Sequence, residues 1–260
     1  MNSKGDVIKK IIALIPARMA SSRFPGKPLV KICGKTMIEH VWRRVTMNPR
    51  VNSVYIATCD EAIRQAAEGF GAEVIMTAST HQRGTDRIAE ACEILILEGR
   101  DFDIVLNIQG DEPLLNPDTL DLLIDPYFGD ESLACVNLIE NLEGEEEINS
   151  YNNVKAIFDQ YGFTLYFSRA PIPYGLKNRH YKQLGLCSFT KETILHYPKM
   201  DMTPLENAES VDMLRFVENN IRVKVMLSPY KTTGVDTPVD HEVVSQIIEN
   251  DPLFQIYMDK

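Results

Sequence analysis

At 260 residues the chain is long enough for one substantial core, or for a main domain carrying a smaller insertion. A 44% hydrophobic and 25% charged composition is that of a soluble globular protein and excludes wholesale disorder. Its 27 basic and 37 acidic residues, a net charge of −10, argue against nucleic-acid binding, which favours the opposite bias.

Chain order begins with an apolar run at residues 11–15 that is too short to cross a bilayer and is closed by Pro16 and Arg18. Lys9 and Lys10 lead straight into it without the longer apolar segment of a secretory signal. The expectation is cytoplasmic residence without membrane insertion.

Residues 10–16 read as a first buried strand and 18–27 as a loop punctuated by Ser21, Ser22, Pro25 and Gly26. Met37, Ile38, Val41, Trp42 and Val45 fall at helical spacing within residues 36–47. A strand at 54–57, a helix at 61–70, a short strand at 73–76, a helix at 83–98 and a strand at 104–108 follow. This alternation predicts an α/β fold around a mainly parallel central sheet. Ligands of such sheets sit beyond the carboxyl ends of the strands, so residues 16–23, 58–60 and 109–112 are expected to meet at one crevice.

The alternation loosens after a helix at 117–123. Glu140, Glu143, Glu145, Glu146 and Glu147 read as an acidic turn, a solvated loop in preference to a metal cage. Residues 154–158 and 164–167 are short strand candidates. Residues 171–186 are rich in Tyr, Pro and Gly and show no clear period. Residues 211–217 resemble part of a helix, 223–227 a strand and 241–248 a terminal helix. The resulting division is an α/β core at 1–130, an inserted lobe or arm at 131–205, and a return to the core at 206–260.

Cys33, Cys59, Cys92, Cys135 and Cys187 lie far apart without a CxxC pair, as suits reduced thiols better than disulfides or a zinc site. Cys59 and Cys187 have polar neighbours that leave pocket-lining roles open.

Between residues 7 and 38 stand Lys9, Lys10, Arg18, Arg23, Lys27, Lys31 and Lys35, with no Asp or Glu. A small polyanionic ligand would account for that segregation; an accidental basic surface is the alternative. Arg18 and Arg23 offer planar forks suited to phosphate oxygens, and Lys27 adds a point charge between Pro25 and Pro28. Gly26 lets the backbone approach a ligand closely. Gly34, Lys35 and Thr36 imitate the end of a P-loop, but its first glycine would fall at Leu29, and no GxGxxG occurs.

Asp111 follows the strand at 104–108, and Asp236 lies in a constrained Gly-Val-Asp-Thr-Pro turn at 234–238. Each can cap a turn; together with the basic loop they can hold magnesium against phosphate oxygens. Positioning and charge neutralisation then serve phosphoryl-type transfer without a histidine base. His81 opens a polar turn in which Gln82 or Gly84 can meet a base or ribose.

The chain resembles the 3-deoxy-D-manno-octulosonate (Kdo) cytidylyltransferases, or CMP-Kdo synthetases. The resemblance rests on residues 15–18, 23–28, 82–87, 109–113, 166–170 and 234–238. It implies a nucleotidyltransferase fold, CTP as donor, Mg2+ dependence, a homodimer and a place in lipopolysaccharide biosynthesis. The anomeric hydroxyl of a small acidic sugar would attack CTP, forming a CMP-sugar and pyrophosphate.

Carried over by position, Arg18, Lys27, Asp111 and Asp236 are the expected catalytic residues, with Asp111 and Asp236 the metal ligands. Ala17, Arg18, Ser22, Arg23, Lys27, Gln82, Gly84 and Arg87 are expected on the nucleotide, and Gln109, Arg169, Gln183, Cys187, Asp212 and Met213 on the acid. Gln183, Cys187 and Met213 stand where the family has His, Tyr and Gln, and Arg83 replaces a small residue. The acid is then Kdo, or an analogue such as 8-amino-Kdo; correlated drift with unchanged specificity is the other reading. A nonulosonic acid, a phosphonate and a catalytically silent regulatory protein are the remaining alternatives.

Overall fold

Residues 9–20, 24–175 and 179–259 are described by a computed structural model. The chain forms two compact units, residues 1–120 with 232–260 and residues 121–231.

The first unit begins with β1 (Ile11–Ala17), the short strands β2 (Lys31–Ile32) and β3 (Lys35–Thr36), and helix α1 (Met37–Thr46). It continues through β4 (Ser53–Thr58), α2 (Glu61–Gly69), β5 (Glu73–Met76), α3 (Gly84–Leu97) and β6 (Ile104–Asn107). Strands β6, β1, β4 and β5 lie side by side, all parallel. An interior strand of a parallel sheet is covered on both faces, and β1 accordingly buries Ile11, Ile12, Ala13, Leu14 and Ile15. Thr36 caps α1 by accepting the Glu39 N–H at 3.3 Å, and the helix buries Met37, Ile38, Val41 and Val45. The α/β alternation and the parallel sheet expected from sequence are thus present.

Helix α4 (Thr119–Ile124) leads into the second unit, which holds α5 (Pro126–Gly129), β7 (Cys135–Leu142), α6 (Glu145–Asn149), β8 (Lys155–Phe158) and β9 (Thr164–Ser168). It is completed by β10 (His180–Thr190), α7 (Lys191–His196), α8 (Pro204–Glu209), α9 (Met213–Glu218) and β11 (Val223–Leu227). Its strands are mixed: β11 and β7 run parallel, while β10 pairs antiparallel with β7 and with β8, and β8 with β9.

Two expectations change here. The aperiodic stretch at 171–186 contains the start of β10, and a register shift between Gln183 and Cys187 hides its alternation. The acidic turn is not one loop. Glu140 belongs to β7, is largely buried and pairs with Lys182 at 3.2 Å, whereas Glu145, Glu146 and Glu147 form the exposed first turn of α6.

The chain returns to the first unit with α10 (Pro238–Glu249) and α11 (Pro252–Tyr257). Val235, Val244, Ile248, Phe254 and Tyr257 pack with Ile32 and Met37 in one apolar cluster, fixing the turn that bears Asp236 next to the basic loop. Among the described residues no helix is long and apolar enough to cross a membrane, and all five cysteines are free thiols.

Candidate functional site

The parallel register aligns Ala17 at the end of β1 with Thr58 at the end of β4, and Leu14 with Asn107 at the end of β6. Beyond these carboxyl ends opens a cleft of about 340 Å³. Its lining includes Ala17, Arg18, Lys27, Gln82, Gly84, Arg87, Gln109, Asp111 and Asp236. Of the three post-strand segments expected to converge, those after β1 and β6 line it directly. The segment after β4 does not line it, but its Asp60 carboxylate accepts the Met19 N–H at 2.8 Å.

Gly26 takes φ +72°, the left-handed region open to glycine, and delivers Lys27 to the first position of a short 3-10 turn. The Lys27 Nζ lies 2.7 Å from Asp111 Oδ2 and 3.0 Å from Asp236 Oδ1. Burial pushes the Lys27 pKa down, but the two carboxylates outweigh it and hold it above its ordinary value. Asp236 is set by a capping box at α10, in which the Asp240 carboxylate accepts the N–H groups of Asp236 and Thr237 at 3.0 and 2.8 Å. Despite its burial, Asp240 is held below the usual carboxylate range by the Thr237 hydroxyl and those N–H groups.

Gly110 lets the Asp111 segment lie against β1. A Cβ there would stand 3.1 Å from the Pro16 carbonyl oxygen and 3.1 Å from Ile38 Cδ1.

Next to the cleft-lining His81, Glu90 accepts from the Ala78 N–H at 2.8 Å and lies 2.5 Å from His81 Nε2, fixing the turn that presents Gln82. Arg87 lines the cleft but is buried, its guanidinium donating to Thr77 Oγ1 and, at 3.5 Å, to Cys59 Sγ. It braces the wall while Arg18 stands exposed. Gln109, expected on the acid, lies in the same cleft as Gln82 and Gly84. Ser22 and Arg23 fall outside the described residues.

The remaining residues expected to contact the acid belong to the second unit. Arg169 donates through Nε to the Glu209 carbonyl at 2.7 Å and through Nη1 to the Tyr151 carbonyl at 2.9 Å. Gln183 donates to Asn137 Oδ1 at 2.8 Å, and Asn137 in turn donates to the carbonyls of Leu184 and Leu186 in the irregular part of β10. Cys187 and Met213 are buried in the core of this unit, while Asp212 immediately precedes α9 and is half-buried. Sequence reasoning missed Asn137 and Glu209, and the role of Asp60. Asp60 stood in the segment after β4, but its partner lies 41 positions away.

The Asp111 and Asp236 carboxylates pair with the Lys27 ammonium, and two carboxylates with phosphate and water are a common magnesium donor set. The Asp111–Asp236 pair therefore fits the divalent ion expected from sequence. The cleft lining combines the cations Arg18 and Lys27 with the carboxamide-bearing turn at Gln82.

A family model described as cytidylyltransferase matches residues 12–225. A 3-deoxy-manno-octulosonate cytidylyltransferase of Thermodesulfovibrio yellowstonii is 39% identical over 91% of this chain and 97% of its own length. An 8-amino-3,8-dideoxy-manno-octulosonate cytidylyltransferase of Shewanella halifaxensis is 40% identical over 88% of this chain and 95% of its own. The solved structure of a CMP:2-keto-3-deoxy-manno-octonic acid synthetase complexed with CTP matches with a TM-score of 0.85 at 34% identity, covering 92% of this chain and 98% of that one. With its fold, its cleft and these likenesses taken together, the chain belongs to the CMP-Kdo synthetase family of cytidylyltransferases.

Proposed function

We propose that the chain couples CTP to a 3-deoxy-octulosonic acid, Kdo or its 8-amino analogue, releasing pyrophosphate and forming the CMP-sugar. The observation that carries this reading is Lys27 held between Asp111 and Asp236 at the carboxyl ends of the parallel strands. Relatives named for Kdo and for the 8-amino acid are 39% and 40% identical, so both acids belong in the proposal.

In this reaction the anomeric hydroxyl oxygen forms a bond to the α-phosphorus as the bond to the pyrophosphate oxygen breaks, and the hydroxyl proton passes to solvent. Arg18 and Lys27 bind and orient the triphosphate and offset the charge gathering on the leaving pyrophosphate. Asp111 and Asp236 would hold magnesium, which would supply charge neutralisation at the phosphates and a lowered pKa for the attacking hydroxyl. Gln82, presented by the turn that Glu90 fixes, serves the nucleoside end. Arg169, tied to the Glu209 and Tyr151 carbonyls, serves the acid. The homodimer implied by the resemblance belongs to the same reading, and light scattering on the purified chain tests it.

Pyrophosphate release from CTP, dependent on both magnesium and the acid, tests the reaction. Asp111→Ala is expected to abolish it while leaving the circular dichroism spectrum unchanged. Near-wild-type, magnesium-dependent release by that variant would refute the metal role.

A further inference from the structure

Asp60 immediately precedes α2, the position from which an aspartate commonly accepts N–H groups of its own helix. It makes no such bond. Its Oδ2 instead accepts the Met19 N–H at 2.8 Å. The register makes this reach natural: Ala17 pairs with Thr58, so Met19 and Asp60 each stand two residues beyond paired strand ends. Asp60 is itself oriented, its N–H donating to the buried Thr58 Oγ1 at 3.1 Å.

The other side of the same residue completes a chain of contacts. The Met19 carbonyl accepts the Gly26 N–H at 3.4 Å, and Gly26 is followed by Lys27. Arg18 lies between Ala17, held in the sheet, and Met19, held by Asp60. One carboxylate thus restrains the backbone beside both Arg18 and Lys27. Asp60 does not line the cleft, and a further carboxylate beside Asp111 and Asp236 would only oppose triphosphate binding, so its value there is mechanical.

We propose that Asp60 is the positioning residue of the basic loop: by holding the Met19 peptide it sets the placement of Arg18 and Lys27 for a nucleoside triphosphate. The proposal rests on the cytidylyltransferase reading above. A purely structural link between β1 and α2 would show in stability alone, whereas a positioning role shows in nucleotide affinity.

The test is calorimetric titration of CTP with magnesium, paired with thermal unfolding and amide exchange at Met19. Asp60→Ala is expected to remain folded, exchange faster at Met19 and bind CTP about tenfold more weakly, the scale of one hydrogen bond to a charged group. Asp60→Asn keeps an oxygen acceptor and is expected to stay within about twofold of wild type. Asp60→Glu keeps the charge but displaces the acceptor; it is expected to weaken CTP severalfold and replaces the alanine variant should that one not fold. Failure of the wild-type chain to bind CTP would count against the functional reading. Unchanged CTP affinity in Asp60→Ala or Asp60→Glu, or equal losses in Asp60→Ala and Asp60→Asn, would overturn the positioning role alone.

Discussion

The main-chain N–H of Val235 donates to the carbonyl of Asp111 at 2.9 Å, tying together the two segments that carry the carboxylates of the cleft. With the backbones fixed in this way, both carboxylates converge on the Lys27 ammonium, and removing that charge should affect chemistry more than folding. Lys27→Met is expected to lower kcat about 10²- to 10³-fold, the scale for loss of one preorganised electrostatic contact. Steady-state kinetics beside a thermal unfolding curve checks this; a kcat within a few-fold of wild type would contradict it.

Gly110 shows how closely the Asp111 segment approaches β1. Gly110→Ala places a methyl 3.1 Å from the Pro16 carbonyl oxygen, a backbone atom that cannot rotate away. The variant is expected to lose about 1–3 kcal/mol of stability, as for other overpacked sites. Urea unfolding measures it, and an unchanged midpoint would show that the segment can shift freely.

A titration signature belongs to His40. It is buried, with Nδ1 2.8 Å from the Tyr257 hydroxyl and Nε2 2.8 Å from the Ile32 carbonyl. Burial, partly opposed by the Ile32 carbonyl and reinforced by the Arg44 charge, lowers its pKa from 6.5 to about 4. Between those values the unfolded chain binds more protons than the folded one, so stability falls as pH drops from about 6.5 towards 4. The loss attributable to this group approaches about 3 kcal/mol. Urea unfolding across that range should show a slope that His40→Gln lacks; parallel profiles would contradict the assignment.

The second unit has its own internal support. Arg215 donates to both carboxylate oxygens of Glu206, each at 2.7 Å, and Glu206 is fully buried. Arg215→Met strands that carboxylate and is expected to cost about 3–5 kcal/mol. Replacing both residues by apolar ones should recover most of the loss in chemical denaturation. Equal losses in the single and double variants would show that the pair's charges do not matter.

Much of the first unit was legible because its signals are local. β1 is a continuous apolar run, α1 has helical spacing with Thr36 as its cap, and the basic loop announces itself by cations among glycine and proline. The grouping of Lys27 with Asp111 and Asp236 at one site was expected from their motifs, but the direct ion pairs were not legible, since those contacts span 84 and 209 positions. In the second unit, β7 is buried on both faces and interrupted by Asn137 and Glu140, which removes the alternation that marks a half-buried strand. Cys187 and Met213 stood out by their residue types, but only the packing places them in a core.

The central claim is most directly tested by product mass after incubating the chain with CTP, magnesium and, separately, Kdo, 8-amino-Kdo and a nonulosonic acid. The account predicts a CMP adduct with pyrophosphate release from at least one of the two octulosonic acids, and none from the nonulosonic acid. Absence of an adduct from both octulosonic acids, or turnover confined to the nonulosonic acid, would contradict it.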